Sequence, residues 1–125
     1  MALTYSGKVT TPKVCPVGVW TTILPSLKFP AGDHVHALLY VNVTGTLTAG
    51  RTSGAFDVRA LRTGTADDTA CETRSVDTTT GGGAFTAFTT LSWLGANPGA
   101  FTWQIRPRVG IAYLTVNTRY CKGLN

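Results

Sequence analysis

From His34 to Thr44 the residues Val35, Ala37, Leu39, Val41 and Val43 recur at every second position, opposite His34, His36, Tyr40, Asn42 and Thr44. Successive side chains of a strand point to opposite faces, so this period of two predicts a long strand with one buried face. The pattern returns four times. Phe56, Val58 and Ala60 alternate with Asp57, Arg59 and Leu61, while Phe85, Ala87, Leu91 and Trp93 share a face. Phe101, Trp103 and Ile105 alternate with Thr102, Gln104 and Arg106. Ala112, Leu114, Val116 and Tyr120 alternate with Tyr113, Thr115, Asn117 and Arg119. Thr69 to Val76 is a weaker strand candidate. Turn-forming stretches separate these runs: Thr48-Ala49-Gly50-Arg51, Thr63-Gly64, Gly81-Gly82-Gly83, Ala96-Asn97-Pro98-Gly99 and Val109-Gly110.

Composition agrees. The 125 residues include 22 Thr and 14 Gly but only four Lys and one Glu, which favours strands and turns over helices. Charged residues are 14% of the chain against about 25% in an average protein, and 43% are hydrophobic, which excludes disorder driven by charge. The expected fold is an all-β antiparallel sandwich, an eight-stranded jelly roll in a single domain. Its core is expected to hold Val35, Leu39, Val41, Phe56, Val58, Trp93, Trp103, Ile105, Leu114 and Val116.

Residues 1–33 differ from the rest. Pro12, Pro16, Pro25 and Pro30 are four of the six prolines, and proline is excluded from central strands because it has no donor. Short extended pieces fit Leu3 to Val9, Val17 to Leu24 and Leu27 to Phe29, so the segment reads as an arm or edge strand on a body spanning 34–125. An arm with unpaired backbone groups can be satisfied by a neighbouring subunit. Leu38, Tyr40, Leu61, Phe88 and Leu94 lie opposite the main apolar rows, and Trp20 belongs to no row. The expected assembly interface is therefore Leu3, Tyr5, Val9, Val17, Trp20, Leu38, Tyr40 and Phe88, in a homo-oligomer. Deleting Met1 to Val14 would then leave a folded β domain that assembles less well.

The chemistry-bearing residues are sparse. His34 and His36 share a strand face, but only Asp33 offers a nearby third metal ligand. Asp67 and Asp68 lack calcium-loop spacing and read as a solvated loop. No serine sits in a nucleophile-elbow context, and no phosphate-binding glycine pattern occurs, so the chain is expected to be non-enzymatic and without cofactor. The net charge is +5, yet the basic residues are scattered, with Arg106 and Arg108 the densest pair. Direct nucleic-acid binding is not expected. Cys15, Cys71 and Cys121 are widely spaced, and three reduced thiols is a simpler reading than one disulfide plus a free thiol. Met1 to Leu24 lacks the apolar run of an export signal, and no stretch has the length of a membrane span, so synthesis in a reducing cytoplasm is expected. Trp20 and Tyr113 are candidate surface aromatics for a sugar platform, while Trp93 and Trp103 lie on core rows.

The Thr/Gly/Ala-rich, nearly Lys-free chain has a proline-containing start, a long strand after Phe29-Pro30-Ala31-Gly32, and a terminal pair, Phe101 to Arg108 and Ile111 to Tyr120, ending at Leu124-Asn125. In these features it resembles the small jelly-roll subunits of tailed-phage virions, in particular capsid decoration and tail-associated proteins. The resemblance implies a binding role in the virion, as a trimer held on major capsid or tail proteins. The alternative is a tail-fibre or tail-tip head that binds a host receptor or carbohydrate.

Overall fold

A computed structural model describes residues 3–28, 34–62, 69–78, 83–96 and 100–124, with side chains described within 9–24, 38–61, 71–78, 83–91 and 102–120. The strands are β1 (Leu3–Val9), β2 (Lys13–Val14), β3 (Thr21–Lys28), β4 (His34–Leu47), β5 (Ser53–Arg62), β6 (Thr69–Asp77), β7 (Ala84–Ala96), β8 (Ala100–Pro107) and β9 (Ile111–Leu124). One sheet has the order β1-β9-β4-β7, with β2 also on β9, and the other has β3-β8-β5-β6. All pairings are antiparallel. Setting aside the two-residue β2, the first of eight strands pairs with the last, the second with the seventh, the third with the sixth and the fourth with the fifth. The chain is thus one long hairpin rolled into two sheets, which is the jelly roll.

The alternating residues explain which faces meet. Leu39, Val41 and Val43 of β4, Leu114 and Val116 of β9, and Phe85 and Leu91 of β7 point into the space between the sheets. Phe56, Val58 and Ala60 of β5 and Trp103 and Ile105 of β8 meet them from the other side. Every expected core residue with a described side chain is buried; the side chains of Val35 and Trp93 lie outside the described residues. Trp103 is fully buried, and its indole N–H makes no hydrogen bond among the described residues.

Residues 1–33 supply the edge strand of each sheet: β1 lies at one edge of the first and β3 at one edge of the second. Both pair within the chain, β1 with β9 and β3 with β8, so their facing backbone groups do not wait for a neighbouring subunit. Pro25 is tolerated in β3 because the register slips between Leu24 and Leu27, a bulge on an edge strand where a missing donor breaks no central ladder. A second slip between Thr22 and Leu24 lets Ile23 and Leu24 both turn inward and become buried.

A bulge also corrects the reading of β9. Val43 pairs with Val116 and Val41 with Arg119, so β9 spends one extra residue there. The side-chain alternation reverses past the bulge. Arg119, expected outside, is buried at 5% exposure, while Tyr120, expected in the core row, lies on the outer face against Tyr40. A second slip between Thr46 and Leu47 buries Ile111 and leaves Ala112, also placed in the core row, exposed.

Candidate interaction faces

The outer face of the first sheet carries an aromatic ladder. Tyr40 on β4 is in register with Tyr120 on β9, and their rings stack with centroids 4.6 Å apart and 15° between planes. Phe88 on β7 pairs with Asn42, two residues from Tyr40, so its ring approaches Tyr40 diagonally, at 6.2 Å. Phe88 is 63% exposed. Beside the ladder, the Asn117 amide donates to Asn42 Oδ1 at 3.3 Å and Thr44 Oγ1 at 3.1 Å. Phe88, Thr89, Thr90 and Arg74 of β6 frame an open hollow of about 400 Å³. There Arg74 donates to the Thr90 carbonyl at 2.8 Å and pairs with Glu72.

The outer face of the second sheet is polar and cationic. Trp20, just before β3, lies across β5 and β8, with the Arg59 guanidinium 4.0 Å and the Arg106 guanidinium 4.5 Å from its ring centroid. These cation–π contacts account for the residue that fitted no apolar row. Arg59 Nε donates to Gln104 Oε1 at 2.6 Å, and Gln104 Nε2 donates to Thr22 Oγ1 at 3.3 Å. Asp57 pairs in register with Thr73 on one side and Arg106 on the other. Its Oδ1 accepts from the Thr73 hydroxyl at 2.7 Å, and its Oδ2 accepts from Arg106 Nη2 at 2.7 Å and Nε at 3.2 Å. Arg108 stands 3.6 Å from Oδ1. Burial pushes the Asp57 carboxyl up, but the hydrogen bonds from Thr73 and Arg106 and the charges of Arg108 and Arg106 outweigh it and hold the group below the usual carboxylate range.

Between the sheets, Arg119 is held by backbone carbonyls. Nε donates to Ile23 O at 2.6 Å, and Nη1 donates to Asn117 O at 2.9 Å and to Thr11 O. It ties the N-terminal segment to β9. Burial lowers its affinity for a proton, opposed by nearby Cys15. Cys15 is itself buried, and burial raises its thiol pKa against the lowering pull of Lys13, a backbone hydrogen bond from Val116 and Arg119. Cys15 and Cys71 are free thiols, Cys71 exposed on β6; the Cys121 side chain lies outside the described residues.

Of the expected interface residues, Tyr40 and Phe88 share one patch, with Leu38 half-buried on the same outer face of β4. Trp20 is on the other sheet, and Val17 is exposed near it. Val9 is partly buried against the core cluster. The side chains of Leu3, Tyr5, His34 and His36 lie outside the described residues, as do Asp33, Asp67 and Asp68 altogether. Among the described residues no three His, Cys, Asp or Glu side chains gather as a metal site would require. Sequence reasoning missed Arg59, Asp57 and Gln104 as a cluster with Trp20; the close pair Arg106 and Arg108 was the one signal of it.

Fold and faces define a jelly-roll β-sandwich with two chemically distinct outer surfaces, one aromatic and one cationic. No protein-family model matches the chain, and no curated protein does. Among solved structures, the chain is similar to a protein of Bacillus endospore appendages, described as a family of disulfide-linked pili, at 13% identity and a TM-score of 0.44 over 100% of this chain and 93% of that one. It is also similar to a carbohydrate-binding module from Cellvibrio mixtus lichenase 5A in complex with cellotriose, at 11% identity and a TM-score of 0.40 over 99% of this chain and 98% of that one.

Proposed function

We propose that this chain is a non-enzymatic structural subunit of a tailed-phage virion, a capsid decoration protein that acts as a homotrimer through protein–protein contacts. The observation that carries the reading is the Phe88–Tyr40–Tyr120 ladder, a flat aromatic patch on a sheet face whose other side already packs the core. Aromatic side chains are enriched where subunits meet, and an exposed Phe88 has area left to bury. The compositional resemblance to virion subunits supports the setting, with major capsid or tail proteins as further partners. Phe88→Ser tests it, because that ring is mostly exposed and its loss leaves the core intact. Light scattering should show a trimer for the natural chain and a monomer for the variant, with matching circular dichroism. A natural chain that stays monomeric, or a variant that still trimerises, overturns the reading.

One observation favours a second reading, a receptor- or carbohydrate-binding head. The Asn117, Asn42 and Thr44 side chains beside the stacked rings combine hydrogen-bonding groups with an aromatic platform, the chemistry that holds a sugar ring. Saturable glycan binding lost in Tyr40→Ala, with the oligomeric state unchanged, would establish it over the first.

A further inference from the structure

A cleft of about 270 Å³ opens at one end of the cationic face, lined by Val17, Gly18, Arg106, Pro107, Arg108 and Val109. The Gly18 N–H donates to Pro107 O at 2.8 Å, so the turn carrying Val17 is fastened to the end of β8. Val17 and Val109 are 42% and 80% exposed, an apolar rim beside two guanidinium groups. We propose that this cleft docks an acidic peptide segment of a partner protein, with a carboxylate on Arg108 and Arg106 and an apolar neighbour against Val17 and Val109.

The charges support this. Arg106 and Arg108 face Asp57, one carboxylate against two cations, so the site keeps positive charge. Asp57 spends Oδ2 on Arg106 and Oδ1 on Thr73, leaving Arg108 beyond hydrogen-bond distance at 3.6 Å. Arg108 is 53% exposed and can turn to an incoming carboxylate without breaking a hydrogen bond among the described residues. Guanidinium groups take carboxylates in paired, planar hydrogen bonds, and a valine rim that displaces water strengthens them. Nucleic acid fits less well. A single strand needs a track of cations and open aromatic faces, whereas Trp20 already has two guanidinium groups over its ring. The cleft belongs to the second sheet, so the inference does not rest on the aromatic ladder of the first.

The test titrates the full chain with acetyl-Val-Glu-Val-Glu-Val-amide and with the same peptide carrying Gln for Glu. Binding is followed by the NMR signals of the Gly18 and Val109 amides and the Arg Nε–H groups. The Glu peptide is expected to move these signals and to bind about tenfold or more tighter than the Gln peptide. Its affinity is expected to fall with added salt. Arg108→Gln should remove the preference with the fold unchanged, and Val109→Ser should weaken both peptides. Equal binding of the two peptides, an unaffected Arg108→Gln variant, or no response up to about 5 mM peptide overturns the proposal. An oligothymidine that moves the same signals at lower concentration also overturns it, as does salt-sensitive self-association that moves them without peptide; the occupant would then be nucleic acid or a second copy. Because Phe88→Ser tests the other sheet, trimer loss and peptide loss are read separately.

Discussion

Asp57 shows how one residue makes the cationic face stable and sensitive to acid. Its carboxylate is almost fully buried yet held below its ordinary pKa by Thr73, Arg106 and Arg108. As pH falls, the unfolded chain takes up the Asp57 proton first, near pH 4, so the stability that this group provides is complete above about pH 4. It is lost progressively as pH drops through the lower, folded-state value. Asp57→Asn removes the titration and the charge pairing together. The variant should melt below the natural chain at pH 7, and the two melting curves should converge in strong acid. Parallel pH profiles measured by thermal unfolding would show that Asp57 contributes no pH-dependent stability.

At the scale of the strand, alternation was legible wherever the ladder was regular. The runs of β4, β5, β7 and β8 could be read from apolar residues at every second position, and their described core residues are buried. What alternation cannot carry is a bulge. Nothing local in Val116-Asn117-Thr118-Arg119 marks the extra residue, because it is set by pairing with Val41 and Val43 far away in the chain. Arg119 and Tyr120 therefore exchanged faces. The Trp20 cluster was hidden for a related reason: Arg59 and Arg106 are unremarkable singly, and only the β5–β8 register brings them under one ring. Gly45 is a further case. It lies within β4, in register with Phe85 and Leu114, and the Phe85 ring occupies the space a side chain would fill. An added Cβ would stand 2.7 Å from Phe85 Cζ and collide with the Tyr113 carbonyl oxygen. Since a backbone oxygen of a central strand cannot step aside as a side chain can, Gly45→Ala should cost about 1–3 kcal/mol despite the gain in strand propensity. Chemical denaturation checks this, and a change under about 0.5 kcal/mol would mean that β9 yields easily at Tyr113.

At the scale of the molecule, the rolled hairpin makes the two ends of the chain interdependent. Leu3 pairs with Leu124 and Val9 with Arg119, so β9 is completed on one side by the first strand and on the other by β4. The N-terminal segment adds Lys13 and Val14 on β9 and the Thr11 carbonyl on buried Arg119. Removing Met1 to Val14 would strip one flank of β9 and leave Arg119 short of an acceptor inside the protein, where an unmet polar group costs about 1–3 kcal/mol. Losing a whole edge strand adds to that. The truncated chain should therefore lose its cooperative unfolding transition, contrary to the folded domain that a dispensable arm would leave behind. A synthetic peptide of residues 1–14 added in trans should restore the transition, because the vacated edge of β9 offers the backbone groups and register for one strand. Circular dichroism during denaturation, with and without the peptide, measures both effects. A truncated chain that unfolds cooperatively at nearly the original denaturant concentration would show that β4 alone holds β9, and that residues 1–14 are available for contacts with another subunit.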